Sequence, residues 1–381
     1  PGPARGGGDE PAAGQTSAMH IPDGYLSPAT CAALYGGAAP FWYVALQRVR
    51  KALHTRLVPL LSLFAAFCFV IMMFNLPLPG GTTGHAVGIG LAAVVLGPWA
   101  AMLAISIAIV IQALFFGDGG ITAIGANCFN MAIVGSLVAY AVYRAIAGRS
   151  ALISPRRVIA AGLAGYAAIN VAALLAAIEF GIQPMFYHDA AGAPLYCPYP
   201  LGIAIPAMMI GHLTVAGFAE LFVSAGVVAF LQQSDPYLLR AASGLTGNLS
   251  GETFQAGRKA LRPLWVGLGA VMILTPLGIL AGGAAWGEWV ASDYADPAVR
   301  QQISASSLNQ APPARPPQGL ERLSSIWTAP FAQYAPPYVR SRAFGYLLSA
   351  MFGVGLAILA SFGAGKLLRS LNRAPGDAAG P

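Results

Sequence analysis

The feature that most constrains this chain is the recurrence of uncharged apolar runs about as long as a membrane-crossing helix. A hydrocarbon core about 30 Å thick needs about 20 helical residues at about 1.5 Å each. Runs of that order lie near residues 29–47, 57–77, 82–97, 99–116, 121–143, 157–179, 201–231, 263–285 and 343–365. Only 9% of the 381 residues are charged and 56% are hydrophobic, far from the roughly 25% charged residues of a soluble domain. The expectation is an all-α, polytopic integral membrane protein of about nine transmembrane helices, with the lipid bilayer as its solvent.

Charge placement gives the topology, because cytoplasmic loops carry the excess of Lys and Arg. Basic clusters fall at Arg48, Arg50, Lys51 and Arg56, at Arg144, Arg149, Arg156 and Arg157, at Arg240, Arg258, Lys259 and Arg262, and in the tail at Lys366, Arg369 and Arg373. An even number of crossings must separate the first two clusters, so the short, glycine-bearing run 82–97 is expected to span. The same rule places the amino terminus outside and the carboxyl terminus in the cytoplasm of a cytoplasmic (inner) membrane. The net charge of +7 comes from these topogenic clusters; with no basic face interleaved with aromatics, nucleic acid is not an expected partner. Four scattered cysteines without CxxC spacing read as small buried hydrophobes.

Residues 1–18, polar and rich in Gly, Pro and Ala, form an expected disordered prefix without the apolar region of a cleavable signal peptide. Residues 19–233 hold seven of the runs, 234–262 read as a cytoplasmic linker, and 263–381 hold two further runs joined by a long outer loop. Within that loop, the Pro/Ala/Ser/Gln-rich stretch 304–317 is expected to be a flexible tether.

Histidine is the informative side chain, since the sequence has only five. His20, in MHIPDG, and His85, closing PGGTTGH, both fall on outer segments where proline and glycine favour irregular backbone; near a membrane such backbone lines a cavity or is buried in protein. A chain beginning Met-His could offer its terminal amine, the deprotonated amide nitrogen of the histidine and the ring nitrogen as three corners of a square, with a second histidine as the fourth. Four planar nitrogens suit Ni(II), Cu(II) or low-spin Co(II) better than Zn(II), Mg(II) or Ca(II). On the residues alone, helix-end or loop-stabilising histidines account for the pattern as well. His188 lies in a longer polar loop and reads as solvated.

Three motifs in order, MHIPDGYLSP (19–28), GGTTGHAVG (80–88) and GDGGITAIGANCFNMAIVG (117–135), resemble the CbiM/NikM family, the substrate-binding subunits of energy-coupling-factor transporters for cobalt and nickel. The resemblance runs through most of 19–233. It implies that Ni(II) or Co(II) is held by the amine and amide at Met19 and His20, the His20 ring and His85. It also implies two kinds of partner, a transmembrane coupling (T) subunit and two cytosolic ATPase subunits, with no ATP site in this chain. A terminal amine at Met19 requires a chain that starts there, and we expect the functional chain to do so. The carboxyl-terminal part, through LTPLGILAGGAAWGEW (274–289), PQGLE (317–321) and PFAQYAP (330–336), resembles the small CbiN/NikN or PDGLE-type partner subunit, with Gln318 and Gln333 where that family has Asp.

Further polar groups fall in or beside the apolar runs. Asp23, Asn127 and Asn130 are candidate second-shell or pathway residues on the side where metal enters. His212 and Glu220 share the seventh run and form a candidate intramembrane polar pair, Glu179 ends the sixth, and Gln112 lies in the fourth. Ionisable groups in such places are functional candidates, but polar side chains also pin membrane helices together at about 0.6–2 kcal/mol each. Two other readings therefore stand beside metal capture: a membrane-embedded enzyme using His212 and Glu220 as an acid/base pair, and a non-catalytic assembly scaffold. The segment SFGAGK (361–366) is not a phosphate loop, since Leu367 replaces the required Ser or Thr.

Overall fold

The structure, a computed structural model, describes residues 20–51, 57–240 and 261–370. The expected prefix 1–18, Met19 and the greater part of the linker (241–260) lie outside the described residues.

Helix α1 (Pro28–Lys51) ends on the first basic cluster, and α2 (Leu57–Ile71) returns from it with ten of its 15 residues buried. A two-stranded antiparallel ladder follows, Leu76–Pro77 (β1) with Thr83–Gly84 (β2), the only sheet among the described residues. Next come α3 (Ile89–Leu96), buried along its whole length, and α4 (Pro98–Phe116). Three long helices complete the first part: α5 (Ile124–Ala147), α6 (Pro155–Phe186) and α7 (Leu201–Ser234). Beyond the linker lie α8 (Arg262–Leu280), two short helices α9 (Pro297–Ser306) and α10 (Gln318–Leu323), and the long α11 (Arg342–Ser370).

Six of these helices (α4 to α8 and α11) are long and apolar enough to cross a membrane. The run at 82–97 takes an unexpected form. Its helix has eight residues, about 12 Å of rise, too short to span by itself. The residues before it, 85–88, are irregular and buried, and they carry His85 into the interior. Apolar composition made the whole stretch look helical, whereas its first half is held by a carboxylate far away in the chain.

Each of three long helices contains a π-helical turn, at Gln112–Phe116, Cys128–Gly135 and His212–Ala216. Such turns interrupt the regular ladder and often accompany functional sites. Here they carry Gln112, Asn130 and His212.

The stretch expected as a flexible tether is tied down by hydrogen bonds. The Arg300 guanidinium donates to the carbonyls of Pro312, Pro313 and Tyr294 at 3.1, 2.7 and 3.0 Å, so one cation gathers a proline-rich segment whose carbonyls lack helical partners.

Candidate metal centre

The segment His20–Gly24 lies against the turn at 118–122. Ile21 and Asn127 exchange two hydrogen bonds, backbone N to Oδ1 at 3.0 Å and Nδ2 to backbone O at 3.2 Å, and the Gly120 N–H donates to the Ile21 carbonyl at 2.9 Å. Asp23 accepts from the backbone N–H groups of Ile121 (3.1 Å) and Thr122 (2.8 Å), and from the Thr122 hydroxyl. The contact needs glycine: a Cβ at Gly120 would fall 2.2 Å from the Asp23 nitrogen. Asn127 and Asp23 thus anchor the histidine-bearing segment, and their polar atoms are spent on doing so.

His85 reaches the same place from the other side. Glu220, fully buried in α7, accepts from the N–H groups of Val87 and Gly88, both at 2.8 Å, and of Gly90 at 3.1 Å. These include donors at the start of α3, which have no partner within the helix, and a carboxylate there also meets the positive end of the helix dipole. The interior loop behind His85 is therefore pinned by one residue of another helix. His85 Nδ1 is 2.9 Å from the Ala86 carbonyl.

The two imidazoles meet. Their ring centroids are 5.3 Å apart with planes inclined at 57°, and His20 and His85 are 3% and 7% exposed. His20 Nδ1 donates to Asp118 Oδ1 at 3.0 Å, while its Nε2 is buried without a protein partner. Both rings line a cavity of about 90 Å³ that also touches Asn127, Asn130, His212 and Glu288.

Asp118 is itself held. Its Oδ2 accepts from the Tyr334 hydroxyl at 2.5 Å and from Gln112 Nε2 at 3.3 Å, and Gln112 Nε2 also lies 3.0 Å from the Tyr334 oxygen. Burial and the Asp118 carboxylate push the Tyr334 phenol well above its usual range, which keeps it a donor. Neither Asp118, inside the motif 117–135, nor Tyr334, inside PFAQYAP, is singled out by the sequence. A carboxylate between glycines at the end of an apolar helix was the available signal for the first; nothing local marks the second.

The remaining candidates are placed as follows. Asn130 donates to Glu179 at 2.9 Å beside the cavity. His212 lines the cavity, with Nδ1 2.9 Å from the Met208 carbonyl one turn back. Glu220 bonds the loop behind His85, so His212 and Glu220 have separate partners and separate tasks. His188 is exposed. Among the described residues no three of His, Cys, Asp and Glu stand close enough to hold one ion. Two imidazoles therefore need backbone nitrogen, or residues beyond those described, to complete a coordination sphere.

The comparison with protein families now bears on this site. A family model described as CbiM, cobalt uptake substrate-specific transmembrane region, matches residues 20–238. The chain belongs to the CbiM family. A second model, the PDGLE domain, matches residues 262–370, so the CbiM part is fused to a CbiN-like one, as the two resemblances implied. The chain is 55% identical over 94% of its length to the whole of a protein of Rhodobacter capsulatus named fused nickel transport protein NikMN. It is 41% identical, over 90% of its length and 96% of the relative, to a probable fused nickel transport protein LarMN of Lactiplantibacillus plantarum. A crystal structure described as a transition metal transporter is 48% identical, with a TM-score of 0.54, over 60% of this chain and all of that one. With the CbiM family goes a transport role, which takes the place of the intramembrane enzyme weighed above.

Proposed function

We propose that this chain is the metal-capture subunit of an ATP-driven energy-coupling-factor importer of Ni(II) or Co(II) in the cytoplasmic membrane. The observation that carries this reading is the meeting of His20 and His85, from segments 65 residues apart, on the wall of one buried cavity. Relatives named as nickel transport proteins over almost the whole chain and a family model described as cobalt uptake supply the cargo.

In the proposed site Met19 contributes its amine, His20 its amide and ring nitrogens, and His85 the fourth nitrogen. A histidine closes a six-membered chelate with its own amide nitrogen only through Nδ1, the atom that donates to Asp118. Capture in this mode turns the His20 ring about its Cβ–Cγ bond and exchanges Asp118 for the ion. Asp118 retains Tyr334 and Gln112, so its charge stays hydrogen-bonded. Asn130 remains a second-shell candidate on the cavity wall.

Charge placement supports the orientation that import requires. The arginine clusters sit at one set of helix ends, after α1 and α5 and before α6 and α8. His20, Asp118, Asn127 and Glu288 lie before α1, after α4, at the start of α5 and after α8, the opposite set. This supports an amino terminus and a metal entrance outside, a cytoplasmic carboxyl terminus, and docking of a T subunit and two ATPase subunits on the basic side.

The test is direct. Purified full-length chain is expected to take up one equivalent of Ni(II) or Co(II), with affinity falling as pH is lowered because every ligand nitrogen must give up its proton. Four nitrogens in a plane make Ni(II) low-spin and diamagnetic; a paramagnetic Ni(II) complex excludes the planar chelate. Terminal sequencing of the active protein checks Met19, since residues retained ahead of it would remove the amine. Cells given the chain with and without the ATPases should differ in radioactive metal uptake, and equal uptake refutes coupling.

A further inference from the structure

One buried carboxylate remains unexplained by the capture site. Glu288 follows α8 in the carboxyl-terminal part and is 7% exposed, and its Oε2 has no hydrogen-bond partner. An ionisable oxygen without a donor is costly to bury, so its position calls for a reason.

Glu288 belongs to the walls of two cavities. One is the His20–His85 chamber. The other, about 160 Å³, lies under the outer loops and is also lined by Asp23, Gly119, Trp289 and Asp293. The other carboxylates of this second cavity are already engaged: Asp23 by Ile121 and Thr122, and Asp293 by the Val290 N–H at 2.9 Å. Glu288 is the carboxylate there with an unpartnered oxygen, and it stands where the two spaces share a wall. It does not join His20 and His85 as a third ligand of one ion, since no three such groups lie within reach of a single metal.

The geometry points to Glu288 as a transfer ligand, a carboxylate that takes a divalent transition-metal cation from the outer cavity and hands it to the two imidazoles. A single oxygen donor binds such an ion more weakly than a set of nitrogens, so the gradient runs inward. A cation crossing between the cavities must shed water in a space walled by Trp286 and Phe180, and a carboxylate at the crossing replaces part of that hydration. The proposal rests on the capture reading of the His20–His85 site.

The experiment follows loading of the full chain in detergent by stopped flow, with aqueous Ni(II) delivered from a metallochromic indicator. Glu288→Gln keeps the shape and removes the carboxylate that would bind the ion. It is expected to slow loading about tenfold, the low end of what losing an outer partner costs a metal site. A station on the path lowers the barrier in both directions, so release should slow by the same factor and the equilibrium affinity should hold. Glu288→Asp, which restores a carboxylate, should recover most of the rate, and thermal unfolding of both variants reports whether the fold is kept. Loading of Glu288→Gln at the parental rate overturns the inference. So does equal slowing by Gln and Asp, which would assign the effect to shape, or a loss of affinity with release unslowed, which would make Glu288 a ligand of the resting site. A parent chain that binds no Ni(II) refutes the capture reading itself, whereas a binding parent with an unchanged Gln variant refutes this inference alone.

Discussion

Burial is deepest in the middle of the CbiM part and shallow in the PDGLE part. The spanning stretches of α4, α5 and α6 are 67%, 61% and 56% buried and that of the peripheral α7 28%, against 17% for α8 and 28% for α11. Lipid tails are as apolar as leucine, so exposed helices of this kind cost little in a bilayer. The second part still docks through a helix, since α11 lies so close to α2 that a Cβ on Gly353 would fall 2.0 Å from the Phe69 ring, and its outer loops reach further, to the histidine site. Gly319 of PQGLE packs on Gly24 of MHIPDG so closely that a Cβ on Gly24 would lie 2.5 Å from the Gly319 carbonyl oxygen. Trp286 closes one side of the cavity that His20 and His85 line, and Tyr334 reaches the carboxylate bonded to His20. One part supplies the two imidazoles, and the other covers and braces them.

If that division is right, the largest loss comes from a ligand of the first part. His85→Ala should weaken Ni(II) binding about a hundredfold to nearly a thousandfold, one nitrogen's share of the roughly 10–16 kcal/mol that a four-ligand site can supply, while the helical circular dichroism of the chain is unchanged. Titration calorimetry against a competing chelator reads the difference. Binding within tenfold of the parent would move the site away from the two imidazoles.

A support of the first part ranks next. Glu220→Ala leaves three buried N–H groups of the 87–90 loop without their carboxylate, a cost of about 3 kcal/mol or more for breaking a buried charged network. The expected outcome is a lower thermal midpoint together with weakened Ni(II) binding, because the same loop carries His85. A stable protein that binds normally would mean that the loop holds its shape without Glu220.

The brace from the second part is smaller. Tyr334→Phe removes one hydrogen bond to a buried carboxylate, at about 1.5–3 kcal/mol, and Gln112 remains to satisfy part of Asp118. Unfolding of the full chain should shift downward by that amount, with the ligands still in place. An unshifted midpoint would reduce the PDGLE loops to a cover.

Much of the fold was legible because hydropathy and charge act locally along the chain. The runs at 99–116, 121–143, 157–179, 201–231, 263–285 and 343–365 all fall on observed long helices, and the two histidines whose rings meet were singled out by asking which of them share a face. The form of 82–97 was not legible, since the partner of its backbone, Glu220, lies 130 or more residues away. Asp118 and Tyr334 were missed for the same reason: their contact joins residues 216 positions apart. Composition reports what a segment can bury, whereas pairing across the chain decides what it must bond.

The smallest effect is expected at the residue that first looks most functional. His212 sits inside a membrane helix, on a π-helical turn, and on the wall of the cavity that His20 and His85 line, which by position alone argues for a ligand. One observation argues otherwise: among the described residues His212 makes no third member of any His, Cys, Asp or Glu group able to hold an ion. Its Nδ1, 2.9 Å from the Met208 carbonyl of its own helix, does not decide, because His85 makes the same contact with the Ala86 carbonyl. His212→Ala should therefore change Ni(II) affinity by less than about tenfold, the low end for an outer partner of a metal site, beside the far larger loss expected at His85. A loss as deep as that of His85→Ala would place His212 in the coordination sphere, and the ion would then sit deeper in the bundle than the meeting point of His20 and His85.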